Sequence, residues 1–412
     1  MNLPLFISRK INKAEGKSFS ATINKIAIAS IALGLATMLI SFLILGGFQR
    51  VITNKIFNFS GHIQVTKYSL DNSLQEEPVS VNNPVLQNPE QYDFIDHVQV
   101  FGHTAGLLQT DDEVYGAFIK GVGQNFDSLR FSDNLLEGNF IRFQGNASNA
   151  SGDYSTDILI SKHIANTLQL EVGDDVRMLF VNPPQYRVRK LHIRGIYNTG
   201  IEEFDEQVVI GDIGLVQRIN QWPDSLVGGF EIYLKDYDQV ARAEEVLQNE
   251  LDYELYVEKI GDKYVQIFEW LELINNNVVI FLVLILFVAC FNIVSILLIL
   301  IMERTQMIGV LKALGARNRQ IRKIFTYNGM LLILKGMFFG NLIGIGFGAL
   351  QYFFRIIPLD PENYYMDYVP IYWDVTAIIL LNLLTFGIVA LVLNIPTAII
   401  MRIQPIRAIR FD

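Results

Sequence analysis

"VVIFLVLILFVACFNIVSILLILIMERTQMIGVLKALGAR" occupies residues 278–317. From Val278 to Met302 it carries no charge. A helix needs about 20 such apolar residues to cross the hydrocarbon of a bilayer. From Glu303 the character changes at once. Glu303, Arg304, Lys312 and Arg317 now surround a short apolar stripe, and Gly315 stands near the end. The first part reads as a transmembrane helix, the second as an amphipathic helix at the water's edge.

Three other runs match the first part. Ile26–Phe48 and Val375–Ile400 are uncharged, and Ile324–Phe354 is apolar except for Lys335. Runs this long and even are not those of buried helices in soluble domains. The earliest of them is about twice the length of a signal-peptide core and no A-x-A site follows it, so it reads as an uncleaved anchor. The fold class expected is a membrane protein of four transmembrane helices, with a large α+β extracytoplasmic domain between the first and second. The expected layout is an amphipathic cytoplasmic segment (1–25), a first span (26–48), the domain in two lobes (49–273), and a second span (274–302) whose helix begins earlier, near 262. A cytoplasmic helix and loop (303–323), a third span (324–354), a short external loop (355–374), a fourth span (375–400) and a cytoplasmic tail (401–412) complete it.

Orientation follows from Lys and Arg beside the spans. Arg9, Lys10, Lys13, Lys17 and Lys25 precede the first span against Glu15 alone. Arg304, Lys312, Arg317, Arg319, Arg322 and Lys323 face only Glu303 in the middle loop, and Arg402, Arg407 and Arg410 face Asp412 in the tail. The loop after the third span holds Asp360, Glu362 and Asp367 with Arg355. Both termini and the middle loop are therefore expected in the cytoplasm, and 49–273 outside it. That segment holds 35 acidic and 17 basic residues, a net charge of −18, and no nucleic-acid partner is expected. Cys290, the sole cysteine, lies in the second span, so no disulfide staples the domain. A segment of this size can bury a core without one.

Within the domain, "GHIQVT" (61–66) and "GAFIKGV" (116–122) read as strands. "DILISKHIANTLQLEVGDDVRMLF" (157–180) reads strand, helix, turn, strand, with Ser161 as cap and Ile164, Ala165 and Leu168 on one helix face. "YRVRKLHIRGIY" (186–197) alternates, with Val188, Leu191, Ile193 and Ile196 expected inward; Val240, Ala243, Val246 and Leu247 line a later helix. Loops near 144–156 and 221–229 are expected as seams between lobes. No H-E-x-x-H or G-x-S-x-G motif occurs. The histidines (His62, His97, His103, His163, His192) lack ligand spacing. "EEFDE" (202–206) lacks the glycines of a calcium loop and reads as a solvated charge run. "EGKS" (15–18) ends like a phosphate loop, but Ile11 stands where its first glycine belongs. No catalytic residue, metal site or cofactor is expected in this chain.

Two features of the spans point to packing and movement. Gly336, Gly340, Gly344 and Gly348 recur every fourth residue, a spacing that lets helix backbones approach closely, within the subunit or across a sliding interface. From Lys259 to Met302 almost nothing breaks a helix except Gly261, so one continuous helix is expected, with a break near Asn275–Asn277 as the alternative. Pro396 is placed to kink the fourth span. On the amphipathic segment, Met307, Leu311 and Leu314, with Ile308 and Val310 beside them, form the apolar face; lipid-surface attachment and docking of a soluble partner are both open on these residues alone.

The stretch "FNIVSILLILIMERTQMIGVLKALGARNRQIRKIFTYNGM" and the ending "QPIRAIRFD" (404–412) resemble the FtsX/MacB-type ABC transporter permeases, and "ILISKHIANTLQLEVGDDVRM" resembles the external domain of the lipoprotein-releasing permeases LolC and LolE. The resemblance covers essentially the whole chain. It implies that Glu303, Arg304, Ile308, Leu311, Leu314 and Gly315 belong to a coupling helix that seats on a cytoplasmic ATPase dimer, with Met307 standing where the family usually has a second Glu. ATP and magnesium would be bound by that ATPase, not by this chain. A second permease copy or paralogue, a lipoprotein cargo and a periplasmic lipoprotein carrier are the other partners implied. Acyl-chain contacts are expected at Leu43, Leu45 and Phe48, with plain lipid-facing packing as the alternative. Carrier docking is expected on "FVNPPQYRVRK" (180–190), through Pro183, Pro184, Arg187 and Arg189, with a plain β-hairpin as the alternative. The function implied is transmission of ATP-driven motion to release lipoproteins from the inner membrane. MacB-like efflux, FtsX-like activation of cell-wall hydrolases, and a membrane-anchored binding or assembly protein without an ATPase remain alternatives.

Overall fold

The computed structural model describes residues 19–68, 76–143, 154–182, 185–360, 364 and 366–399. The segment before Phe19, the stretch 144–153, Pro183, Pro184 and the tail motif at 404–412 lie outside the described residues. Its contacts divide the chain into two units: Val51–Glu269 with Asp360–Asp367, and the remainder. Among the described residues, four helices are long and apolar enough to cross a membrane.

In the helical unit, helix α1 runs Phe19–Ser60 and α2 runs Val265–Glu303, both past the unit's own limits. Helix α2 is unbroken through Asn275–Asn277; a helix-interior asparagine costs well under 1 kcal/mol, too little to interrupt so many apolar neighbours. A short helix α3 (Thr305–Ala313) follows, then α4 (Asn318–Phe354), α5 (Val375–Val392) and α6 (Asn394–Ile399). The break between α5 and α6 falls just ahead of Pro396, which has no N–H to offer the Val392 carbonyl. Leu35, Met38 and Leu39 of α1, Cys290, Ile293 and Leu297 of α2, Ile333 of α4 and Val389 of α5 make the core. Two amides bond reciprocally between α4 and α5: Asn341 Nδ2 donates to Asn382 Oδ1 at 2.7 Å and Asn382 Nδ2 to Asn341 Oδ1 at 3.0 Å.

The other unit is built on a ten-stranded sheet. Its strands are β1 (Ile63–Lys67), β3 (Ile95–Gln109), β4 (Val114–Val122), β5 (Leu135–Gly138), β6 (Asp157–Ser161), β7 (Asp175–Asn182), β8 (Gln185–Tyr197), β9 (Val208–Asp212), β11 (Gly229–Leu234) and β12 (Leu255–Lys259); β2 (Val79–Ser80) and β10 (Leu226–Val227) pair apart. The order is β12-β1-β11-β3-β4-β9-β6-β8-β5, with β7 against β3 and β8. Two apolar cores share this sheet. One gathers Ile158, Ile160, Ile164, Leu168, Leu191, Ile193 and Leu215; the other gathers Ile63, Val65, Phe230, Ile232, Ala243 and Leu247. Each of these side chains larger than alanine contributes roughly 1.5–3 kcal/mol on burial.

Local chemistry explains most elements. Ser161 Oγ accepts from Ile164 N at 3.0 Å and starts the helix Lys162–Leu168. Ala243 and Leu247 are buried on the helix Val240–Glu250, with Val240 and Val246 packed beside them. Two expectations fail. Val188 is outward and 54% exposed, while Leu191 and Ile193 are buried. An even and an odd position cannot share a face of a regular strand. Ile196 rejoins the inward face only because the pairing with β6 slips between Ile193 and Gly195. The "EEFDE" run is not wholly solvated either: Phe204 and Asp205 are buried. The Asp205 carboxylate accepts from Thr199 N at 3.0 Å, Thr199 Oγ1 at 2.9 Å and Gly200 N at 2.8 Å, and burial pushes its pKa up.

Candidate functional site

Helix α3 is held from both ends. Ile308 is buried, and Met307 and Leu311 pack with it against Leu300 and Ile301 at the end of α2 and Ile321 and Phe325 at the start of α4. Its C-terminus closes in a Schellman motif: Ala316 N donates to the Leu311 carbonyl at 2.9 Å and Gly315 N to the Lys312 carbonyl at 3.0 Å. Gly315 adopts φ +90°, which a β-carbon would penalise. Ala316 and Leu311 meet in the same apolar cluster, the contact that accompanies this motif. The next helix starts at once, with Gln320 Oε1 accepting from Arg317 N at 2.9 Å.

Met307, Ile308 and Leu311 of the apolar stripe therefore face inward, and another set faces out. Glu303, Gln306, Val310, Leu314 and Arg317 are exposed, Val310 at 47% and Leu314 at 80%. Of the residues expected to seat a partner, Glu303, Leu314 and Gly315 lie on the exposed side, whereas Ile308 is fully buried, Leu311 half-buried in the cluster, and Arg304 half-buried between α2 and α3. Met307, at the position where the family usually has a second Glu, turns inward. Gln306 and Val310 share this exposed side, though neither is among the residues expected to seat a partner. Their three- and four-residue spacing with Glu303, Leu314 and Arg317 is visible in the sequence, but two adjacent stripes on a short helix can be told apart only when one is seen packed.

The glycines of α4 meet a matching ladder on α1. A β-carbon at Gly336 would lie 2.6 Å from Ile31 Cβ; at Gly340, 2.9 Å from the Ala32 carbonyl oxygen; at Gly344, 3.0 Å from Leu39 Cβ; at Gly348, 2.9 Å from Leu43 Cδ1. Side chains four apart on α1 thus fill the spaces left by glycines four apart on α4. The interface lies within one subunit. It also occupies Leu43, which is fully buried between Gly348 and Trp373; Leu45 is 6% exposed, and Phe48 is half-buried with its ring 5.6 Å from Trp270. Leu43 and Leu45 are therefore not presented on the surface of this unit, as acyl-chain contact requires.

Within 180–190, β7 and β8 pair antiparallel with Asn182 opposite Gln185; Pro183 and Pro184 are outside the described residues. Arg187 and Arg189 lie on the half-buried side of β8. Arg187 Nη1 donates to the carbonyls of Arg218 (2.6 Å) and Ile219 (3.1 Å), capping the helix Ile213–Asn220. Arg189 Nη1 donates to the Val188 carbonyl at 3.0 Å. The exposed side of the hairpin instead carries Tyr186 and Val188. Among the described residues no group of three His, Cys, Asp or Glu is arranged to hold a metal ion.

Two family models cover the chain. The MacB-like periplasmic core domain matches residues 26–250, and the FtsX-like permease C-terminal matches residues 279–405. Among curated proteins, the chain is 24% identical to the lipoprotein-releasing system transmembrane protein LolE of Haemophilus influenzae, over 95% of both chains. It is 24% identical to LolC of Neisseria meningitidis over 98% of both, and 25% identical to LolC of Haemophilus influenzae over 84% of both.

Proposed function

The chain belongs to the permease family that joins a MacB-like periplasmic core domain to an FtsX-like C-terminal part, and from that premise we propose that it is the transmembrane subunit of an ABC transporter releasing lipoproteins from the inner membrane. Near full-length similarity to proteins named LolE and LolC supports this branch. The observation that carries the transporter reading is the two-sidedness of α3: one face is fixed to the ends of α2 and α4, the other is bare. A load applied to the bare face passes directly into two membrane helices.

In this reading the chain itself is not an enzyme. A cytoplasmic ATPase dimer binds ATP and magnesium and closes against Glu303, Gln306, Val310 and Leu314 of this subunit and of a second permease copy or paralogue. The unbroken 39-residue helix α2 carries the movement outward. The sheet domain lies in the periplasm, and both termini lie in the cytoplasm. A lipid-anchored cargo held between the two permeases leaves towards a carrier, which, on meeting the β7–β8 hairpin, meets Tyr186 and Val188. Such coupling requires that the two nucleotide states of the ATPase contact α3 differently.

The test is retention of partners by the intact chain in mild detergent, beside a Val310→Glu/Leu314→Glu variant. Both side chains are exposed, so the variant keeps its fold, whereas Ile308→Glu, which buries a charge, does not. The expected result is an ATPase and lipoproteins held by the wild type, with the ATPase lost from the double variant. An ATPase retained together with a cell-wall hydrolase or an efflux duct would move the chain to another branch. No ATPase on a folded wild-type chain refutes the transporter reading.

A further inference from the structure

A row of polar side chains crosses the middle of the sheet where apolar ones are the rule. Gln64 of β1 pairs with Glu231 of β11, and Glu231 with Gln99 of β3, so the three lie side by side. They are 3%, 0% and 0% exposed. Gln64 Nε2 donates to Glu231 Oε1 at 3.0 Å and Gln99 Nε2 to Glu231 Oε2 at 2.7 Å. Lys120 of β4, itself buried, donates to Glu231 Oε1 at 2.7 Å.

The row is joined to the roots of both long helices. The last turn of α1 leaves carbonyls without partners inside the helix. Lys120 Nζ donates to the Phe59 carbonyl and lies 4.5 Å from the centre of its ring. The Tyr233 hydroxyl donates to the Asn58 carbonyl at 3.2 Å and receives Gln99 Nε2 at 3.1 Å. An ammonium here also complements the negative end of the helix dipole. On the other side, Lys263, in the turn before α2, donates to Gln64 Oε1 at 2.6 Å. Topology makes this convergence natural. The strand after α1 is β1 and the strand before α2 is β12, and they pair antiparallel with Ile63 opposite Lys259. The Phe204 ring stacks on Phe59 at 4.2 Å and stands edge-on to Tyr264 at 5.3 Å, bracing the same two roots.

A buried ion pair is a poor stabiliser compared with apolar residues of the same volume, though removal of one partner alone is costly. Its retention in the sheet therefore calls for another role. Resting on the transmission reading above, we propose that Lys120, held by Glu231, is the positioning residue that fixes the root of α1, and through Gln64 and Lys263 the root of α2, to one strand group, so that helix movement becomes movement of the domain.

The test uses Lys120→Met/Glu231→Gln in the full-length chain. Both charges go together, so no lone charge is left buried, and the introduced amide keeps an acceptor for the row. Hydrogen exchange in detergent is read first. Exchange at Asn58–His62 and at Ile267–Phe268 is expected to quicken by at least about tenfold, with Ile158–Leu168 unchanged. Unchanged exchange at the roots, or uniform quickening throughout the domain, overturns the proposal. In the complex with its ATPase, the variant is expected to keep ATP hydrolysis while lipoprotein release falls by about tenfold or more. Release at the wild-type level with a loosened root overturns the coupling role. If the wild-type complex releases no lipoprotein, the transporter branch is at fault, and hydrogen exchange alone decides whether Lys120 anchors the roots.

Discussion

Replacing Gly336 by alanine adds one methyl group where α4 crosses α1. The new carbon would stand 2.6 Å from Ile31 Cβ, 2.7 Å from Ile31 Cγ2 and 3.3 Å from the Ile28 carbonyl oxygen, against 3.4–4 Å for ordinary contact. The Ile31 side chain cannot swing clear, because its Cβ is the atom struck. Relief requires the helices to part by about 1 Å at this level, and a gap of that size forfeits a quarter to a half of each dispersion contact beside it. Overpacking of this kind costs about 1–3 kcal/mol. The same helix supplies a control. A β-carbon at Gly346 meets no atom within 4 Å, so Gly346→Ala is expected to be neutral or to gain up to ~1 kcal/mol of helix propensity. Reversible unfolding in mixed micelles, followed by tryptophan fluorescence, reads both; Trp373, beside Gly348, reports on this interface directly. If Gly336→Ala unfolds within about 0.5 kcal/mol of Gly346→Ala, the α1–α4 ladder does not hold the unit together, and the reasoning from close approach fails.

Two further outcomes follow from particular groups. His62 Nδ1 accepts from Leu234 N at 2.9 Å, and burial, aided by the charge of Arg130, lowers its pKa to about 4 from an ordinary 6.5. The folded state thus holds the neutral ring. Its contribution is complete above pH 6.5 and is lost as pH falls from there through about 4, a loss on the order of 3 kcal/mol. Melting of the full chain across that window should lose less in His62→Gln than in wild type, and equal acid slopes would remove His62 from the account. For the Asn341–Asn382 amide pair, a double-mutant cycle with leucine at each position should give a coupling of about 0.6 kcal/mol, at most ~1.7; additive unfolding energies would mean that the amides do not bond to each other.

Legibility in the sequence follows how local each cause is. The spans are readable because a bilayer demands length and apolarity from consecutive residues. The cap at Ser161 and the stop at Gly315 are readable because each acts within one helical turn. The face of α3 is not. Ile308, Leu311 and Leu314 share an apolar stripe, yet Ile308 is buried and Leu314 exposed, because α2 and α4 cover only part of that stripe. Arg187 reads as a docking cation in sequence, but the helix end that occupies it begins more than twenty residues later in the chain. Ile196 shares the inward face with Leu191 and Ile193 because a bulge before Gly195 resets the alternation, while the regular pairing before it turns Val188 outward; bulges leave little trace in composition.

Glu231 marks the division most clearly. Along "GFEIYL" Phe230 and Ile232 lie on one face of the strand and Glu231 on the other. Periodicity tells which residues share a face but not what covers it. The second face is covered by the root of α1, which arrives from residues far upstream, and there the Glu231 carboxylate is a buried partner of Lys120. Sequence alone determined four membrane helices, an acidic α+β domain, an amphipathic segment between spans and the kinship they imply, because hydrophobic length, charge placement and local capping are properties of neighbours. The tertiary structure alone decided which face of α3 is free, that the glycine ladder closes on α1 of the same subunit, and where the buried charges sit, because those depend on long-range packing.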